Sequence, residues 1–83
     1  MDESNLDILF MELASETRRS MLKILTGGDE KLSKIAEKLD LTIQDAHRNS
    51  SRLVKSGLIN KKSNNFFSLT SMGYTITQHI DSF

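Results

Sequence analysis

The chain has no cysteine among its 83 residues. That excludes disulfides, thiol redox chemistry and cysteine metal sites together, and it fits a cytoplasmic location. No run of about 18 apolar residues occurs, so the sequence offers no membrane-spanning helix. The N-terminus is acidic and does not have the build of a signal peptide. Histidine is scarce, with only His47 and His79 present. The two fall in different predicted elements, and His79 with Asp81 supplies at most two ligands where a metal needs three or four. No Ser/His/Asp arrangement is legible. The expectation is a chain with no cofactor, no metal, no identifiable small-molecule ligand and no enzyme activity.

An excess of either charge is lacking as well. Eleven basic and eleven acidic side chains give a net charge of zero, which at first argues against nucleic acid as a partner. The distribution answers that objection. Residues 1–16 hold Asp2, Glu3, Asp7, Glu12 and Glu16 and no base. Residues 42–62 hold Arg48, Arg52, Lys55, Lys61 and Lys62 against Asp45 alone. A local basic patch is what phosphate contact requires, and a low total charge limits non-specific binding.

Eighty-three residues, 37% of them apolar, suffice for one small domain over 1–83 with little surplus stability, which a dimer interface would supplement. Four spacings organise it. Leu6, Leu9, Phe10 and Leu13 follow i, i+3, i+4, i+7 and predict a helix over about 4–14 with that face inward. Ile8 and Met11 lie off the stripe, either exposed or packed on a partner chain. Ser15 caps a second helix running to about Thr26, with Met21, Leu22 and Leu25 inward. Gly27-Gly28 stops it; without a preceding strand or a following Lys-Ser/Thr, that pair is not a phosphate loop.

Leu32, Ile35, Ala36 and Leu39 repeat the same spacing, with Ser33 as a candidate cap. Asp40-Leu41 is a tight corner. Thr42 and Asp45 then resemble a capping box, opening a helix that Gly57 ends. On that helix Ala46, Ser50 and Leu53 share one side with Gly57, with Ile43 and Val54 beside them, and Gln44, Arg48, Ser51 and Lys55 share the other, flanked by His47, Asp45 and Arg52. One face can bury, and the other is basic and rich in hydrogen-bonding groups. Leu58–Lys62 reads as a strand, Ser63-Asn64-Asn65 as its turn and Phe66–Leu69 as the return strand. Thr70 or Ser71 starts a last helix. Its Gly73, Ile76, Ile80 and Phe83 form a narrow seam, opposite a side of Thr, Gln and Asp. The seam packs either on its own domain or on a copy of itself.

Several of these stretches carry a family resemblance. Ile35-Ala36, Leu39-Asp40-Leu41-Thr42, Arg48, Leu53 and Gly57-Leu58-Ile59 resemble the "IA-x-x-LGLT … R-x-x-x-x-L-x-x-x-GLI" run of ArsR-like winged-helix transcription regulators. Leu13-Ala14-Ser15-Glu16-Thr17-Arg18-Arg19-Ser20-Met21-Leu22 resembles their "LADPTRRRIL". Phe66-x-Ser68-Leu69-Thr70-x-x-Gly73 is similar to the "YxLTxxG" that ends the wing there and in MarR- and PadR-type regulators. His47-Arg48-Asn49 is closest to archaeal members. Asp40 stands where the turn glycine is usual, and Ser15-Glu16 where Asp-Pro is usual.

The fold class expected is mainly α with a small β-hairpin: a winged helix-turn-helix of about five helices and a two- or three-stranded wing. The function expected is that of a sequence-specific DNA-binding transcription regulator acting as a homodimer on a pseudo-palindromic site of double-stranded DNA. Thr42, Gln44, Asp45, His47, Arg48, Ser51, Arg52 and Lys55 of the second helix of the pair are the candidate major-groove contacts. Arg48 suits guanine and Gln44 adenine. Lys61, Lys62, Ser63, Asn64 and Asn65 of the wing are the candidate backbone contacts. In regulators of this type the first and last helices commonly form the dimer, which makes Leu6, Ile8, Leu9, Met11, Ile76, Ile80 and Phe83 the candidate interface. The alternative is a winged-helix protein-interaction module within a transcription or assembly complex, because fold alone does not decide function.

Overall fold

The computed structural model describes residues 9–80. Residues 9–13 are helical (α1). After them come α2 (Glu16–Thr26), β1 (Glu30–Lys31), α3 (Leu32–Leu39), α4 (Ile43–Lys55), β2 (Ile59–Lys61), a 3-10 turn (Ser63–Asn65), β3 (Phe66–Leu69) and α5 (Ser71–Ile80). The three strands form one antiparallel sheet in the order β1-β3-β2. Ile59 stands opposite Leu69, and Lys61 and Glu30 flank Phe67 from either side.

The helix ends follow local chemistry. The Ser15 hydroxyl accepts from the Arg18 N–H at 3.2 Å and starts α2; Gly28, at φ +134°, turns the chain away from it. The α3 to α4 corner is closed by two bonds, Leu41 N–H to the Ala36 carbonyl (2.9 Å) and Asp40 N–H to that of Glu37 (3.3 Å). This is a Schellman arrangement, and it needs a left-handed residue. Asp40 takes that place at φ 54°, ψ 46°, an angle Asp tolerates better than most residues. Thr42 caps α4, accepting from the Asp45 N–H at 3.0 Å.

Ser33 does not cap α3. The strand residues Glu30 and Lys31 run straight into that helix, so Lys31 occupies the cap position without a side-chain bond. Ser33 sits exposed inside the first turn.

The core gathers Met21, Leu22 and Leu25 from α2, Leu32, Ile35 and Ala36 from α3, and Ala46 and Leu53 from α4, with Leu58, Ile59, Phe67 and Ile80. One expected face is corrected. Phe10 is 68% exposed, and Glu12 takes the inward place beside Leu9 and Leu13. Thr77, next to Ile76 of the seam, is a polar residue of α5 that is fully buried. Its hydroxyl donates to the Gly73 carbonyl at 2.7 Å within its own helix, which satisfies the group and leaves its methyl to pack.

Candidate nucleic-acid interface

Around α4, at about 100° per residue, three sectors separate. Ala46, Ser50 and Leu53 are buried against α2 and α3. Gln44, Arg48 and Lys55 point away from the core and are exposed, with Ser51 half-buried beside them. His47, Ile43 and Val54 form one flank, and Asp45, Asn49 and Arg52 the other.

The first flank faces the wing. A cleft of about 210 Å³ lies between α4 and the sheet, with Val54 and Phe67 as apolar lining and His47, Ser51, Lys55 and Lys61 around it. The fold thus brings four of the candidate contact residues, three of them on α4 and one on β2, to a single cleft. The wing tip is exposed throughout Lys61–Asn65. Asn64 and Asn65 hold φ near 61° and 60°, which Asn accepts at lower cost than most side chains. The Lys62 N–H donates to the Phe66 carbonyl at 2.7 Å and closes the turn. The Lys62 ammonium is tied back to Asp29 at 2.9 Å. Lys31 lies 5.4 Å from the centre of the Phe66 ring, a cation–π distance. The wing is therefore braced against β1 and the loop before it.

The second flank faces α1 and α2. Asp45 Oδ1 accepts from Arg48 Nη2 at 2.7 Å, so the one acidic side chain of α4 is matched to its most exposed arginine. Glu12 Oε1 accepts from Arg52 Nε and Nη2 at 3.2 and 3.1 Å. Arg52, expected among the phosphate contacts, is thus turned to the protein's own carboxylate. Beneath it Arg18 and Glu12 form a buried ion pair, Nε to Oε2 at 3.0 Å. The Nε hydrogen is aimed at the Glu12 backbone carbonyl (2.9 Å), so Oε2 has charge beside it and no hydrogen bond of its own. Burial pushes the Arg18 guanidinium below its ordinary pKa, against the pull of Glu12 and with a further push from Arg52. Glu12, Arg18 and Asn49 were not expected in the neighbourhood of this surface.

Of the residues expected to pair two chains, Leu6, Ile8 and Phe83 lie outside the described residues. Leu9 and Ile76 are half-buried and Ile80 is buried within its own chain. These three line an apolar groove of about 680 Å³ between α1 and α5, together with Phe10 and Leu13. Met11 is 59% exposed outside that groove. Among the described residues no group of three or more His, Cys, Asp and Glu side chains is placed to hold a metal, and no helix is long and apolar enough to cross a membrane.

No family model matches the chain, and no curated protein matches it. Solved structures do. HlyU from Vibrio cholerae superposes with a TM-score of 0.81 at 18% identity, over 94% of this chain and 89% of that one. A transcriptional regulator of the MarR family from Enterococcus faecalis gives 0.82 at 18% identity, over 99% and 81%. An ArsR family transcriptional regulator gives 0.77 at 22%, over 94% and 89%. This is the winged-helix fold. In its terms α3 and α4 are the helix-turn-helix, and β2 and β3 the wing, with β1 as third strand. Two of these neighbours are an ArsR-family and a MarR-family regulator, two of the groups that the sequence motifs resemble, and at these identities the likeness is one of fold.

Proposed function

We propose that residues 1–83 are one DNA-binding domain of a cytoplasmic transcription regulator, working as a homodimer on a pseudo-palindromic site. One observation carries the reading: His47, Ser51 and Lys55 of α4 and Lys61 of the wing border one cleft beside the outward Gln44 and Arg48, and the only acid on α4 is already paired to Arg48. In this reading α4 enters the major groove. Arg48 meets guanine and Gln44 adenine, while Thr42, His47 and Ser51 reach base edges or neighbouring phosphates. Lys55, Lys61 and the tip residues Ser63, Asn64 and Asn65 contact the backbone and set register. Arg52, 44% exposed, holds Glu12 and stands beside these contacts as a further phosphate candidate. Leu9, Met11, Ile76 and Ile80 are the described part of the dimer surface, and two-fold pairing spaces the half-sites by about 10 bp or a multiple.

The test is a titration of random duplex DNA at about 50 and 200 mM salt, with light scattering in parallel. A dimer whose affinity falls by orders of magnitude over that range is expected. Arg48→Ala is expected to lose about 1–3 kcal/mol on a selected site and to relax preference at one base pair. Equal losses on selected and random duplexes would remove Arg48 from base readout. Asp29→Asn frees Lys62, so it is expected to raise affinity for random duplex and to steepen the salt slope by about one phosphate contact. An unchanged slope would keep Lys62 out of the interface.

The second reading, a protein-docking winged helix, draws on Ile43 and Val54, which are 54% and 38% exposed on the wing-side flank of α4. A monomer with no affinity for duplex DNA at low salt would favour it.

A further inference from the structure

The polar cluster under the second flank of α4 is left unused by the DNA reading. Arg18 is buried, and its guanidinium fork reaches three neighbours. Nε donates to the Glu12 carbonyl, Nη2 to the Met11 carbonyl at 3.0 Å, and Nη1 to Asn49 Oδ1 at 3.0 Å. Asn49 in turn donates from Nδ2 to the Asp45 carbonyl at 2.9 Å. The end of α1, the first turn of α2 and the flank of α4 are thereby joined through one side chain. Asn49 follows Arg48 in sequence, and Asp45, whose carbonyl it holds, steers the Arg48 guanidinium.

Few large apolar side chains of α4 interlock with the core, Leu53 being the one fully buried large residue on the helix. Two of its three buried residues, Ala46 and Ser50, are small, and the Ser50 hydroxyl bonds within its own helix to the His47 carbonyl. A roll of about 10° displaces an outward side-chain end, some 5–6 Å from the axis, by about 1 Å. That is more than the tolerance of a directed hydrogen bond, whose distances spread over a few tenths of an ångström.

We infer that Arg18 and Asn49 are positioning residues that fix the roll of α4 against α1 and α2, so that base discrimination depends on contacts that never touch nucleic acid. The inference rests on the DNA reading. It assigns non-specific affinity to the lysines of the outward face and the wing, and discrimination to the roll.

Asn49→Ala tests it, because it releases the Arg18 fork from α4 and leaves every outward side chain in place. Arg18→Lys is the second variant, since it keeps a positive charge beside Glu12 and cannot bridge to Asn49. The probes are the duplex recovered by the wild-type chain from a random-sequence library and a random duplex of equal length, with folding followed by thermal melts. For both variants, affinity for the selected duplex is expected to fall about tenfold, a typical size for coupling between distant sites. Affinity for the random duplex and its salt slope are expected to stay within about twofold, because the phosphate contacts are intact. A merely structural role lowers the folded fraction and moves both affinities by one factor. Equal losses, or no loss on the selected duplex, would overturn the inference; should Arg18→Lys fail to fold, Asn49→Ala decides alone. If the wild-type chain itself recovers no preferred duplex, the DNA reading has failed and takes the inference with it, a result seen in the control before any variant is compared.

Discussion

Gly73→Ala is expected to destabilise the fold by about 3 kcal/mol, the upper range for overpacking a well-filled site. In an ordinary helix interior the same change would stabilise by up to about 1 kcal/mol, so the prediction concerns sign as well as size. A Cβ at Gly73 would lie 2.0 Å from the Leu58 carbonyl oxygen and 3.0 Å from its carbon. Both are backbone atoms and cannot swing aside. The Leu58 carbonyl also accepts from the Thr70 N–H at 3.1 Å, and Leu58 is itself fully buried. The strain therefore moves α5. Its first turn is fixed by Thr70, whose hydroxyl accepts from the Gly73 N–H at 2.9 Å and donates to the Gly57 carbonyl at 2.7 Å. Its last turn carries the buried Thr77 and Ile80. Thermal melts are expected to show a fall of more than about 10 °C for a chain of this size. An unchanged or raised melting temperature would mean that α5 does not rest on the Leu58 carbonyl.

The glycine at residue 73 was legible in the sequence as part of a motif, but not for this reason. A seam argument places it among apolar residues, whereas the structure makes it the point where α5 lies directly on the backbone leading into β2. Apolar spacing locates α2, α3 and α4 well, because each of them buries one face of residues spaced three and four apart, through Met21, Leu22 and Leu25, through Leu32, Ile35 and Ala36, and through Ala46, Ser50 and Leu53. It fails where a polar group is buried with its partner. Apolar spacing puts Phe10 inward and is silent on Glu12, since a carboxylate signals burial only when its cation is known. That cation, Arg18, lies six residues away across the corner at Ala14-Ser15, and apolar spacing says nothing of such a pair. Thr77 is a smaller case of the same kind, a buried polar group whose partner, the Gly73 carbonyl, lies within its own helix. Strand β1 has two residues, Glu30 and Lys31, neither of them typical of strands; it exists because the free edge of β3 meets the backbone there. On the candidate interface, sequence pattern brought out the sector of Gln44, Arg48, Ser51 and Lys55. The withdrawal of Arg52 to Glu12 and of Lys62 to Asp29 depends on tertiary placement, which spacing along one element does not contain.

Glu12→Leu is expected to be the most damaging single substitution in the polar cluster between α1, α2 and the second flank of α4. The Glu12 and Arg18 side chains are 8% and 9% exposed. Removing the carboxylate leaves a guanidinium desolvated, and that group cannot discard its charge to escape, because arginine stays protonated in proteins. The cost of such an orphaned charge is about 3–5 kcal/mol. Arg18→Met is costly for a related reason, since it leaves the buried Glu12 carboxylate with Arg52 alone and the Met11 and Glu12 carbonyls without their donor. The double variant removes both charges and fills the site with apolar atoms, so its loss is expected to fall short of the sum of the single losses by about 2 kcal/mol or more, within the range for directly coupled residues. Urea melts of the four chains measure this directly. Losses that add to within about 0.5 kcal/mol would show that the two charges do not interact appreciably. The cycle has a second consequence on DNA. Glu12→Leu also releases Arg52, whose side chain is already 44% exposed. For any variant that remains folded, the salt slope on random duplex is expected to rise by about one contact, because a cation the wild-type chain holds on its own carboxylate becomes available to a phosphate. Glu12 thus governs two quantities of opposite sign, stability that falls and non-specific affinity that rises when it is removed.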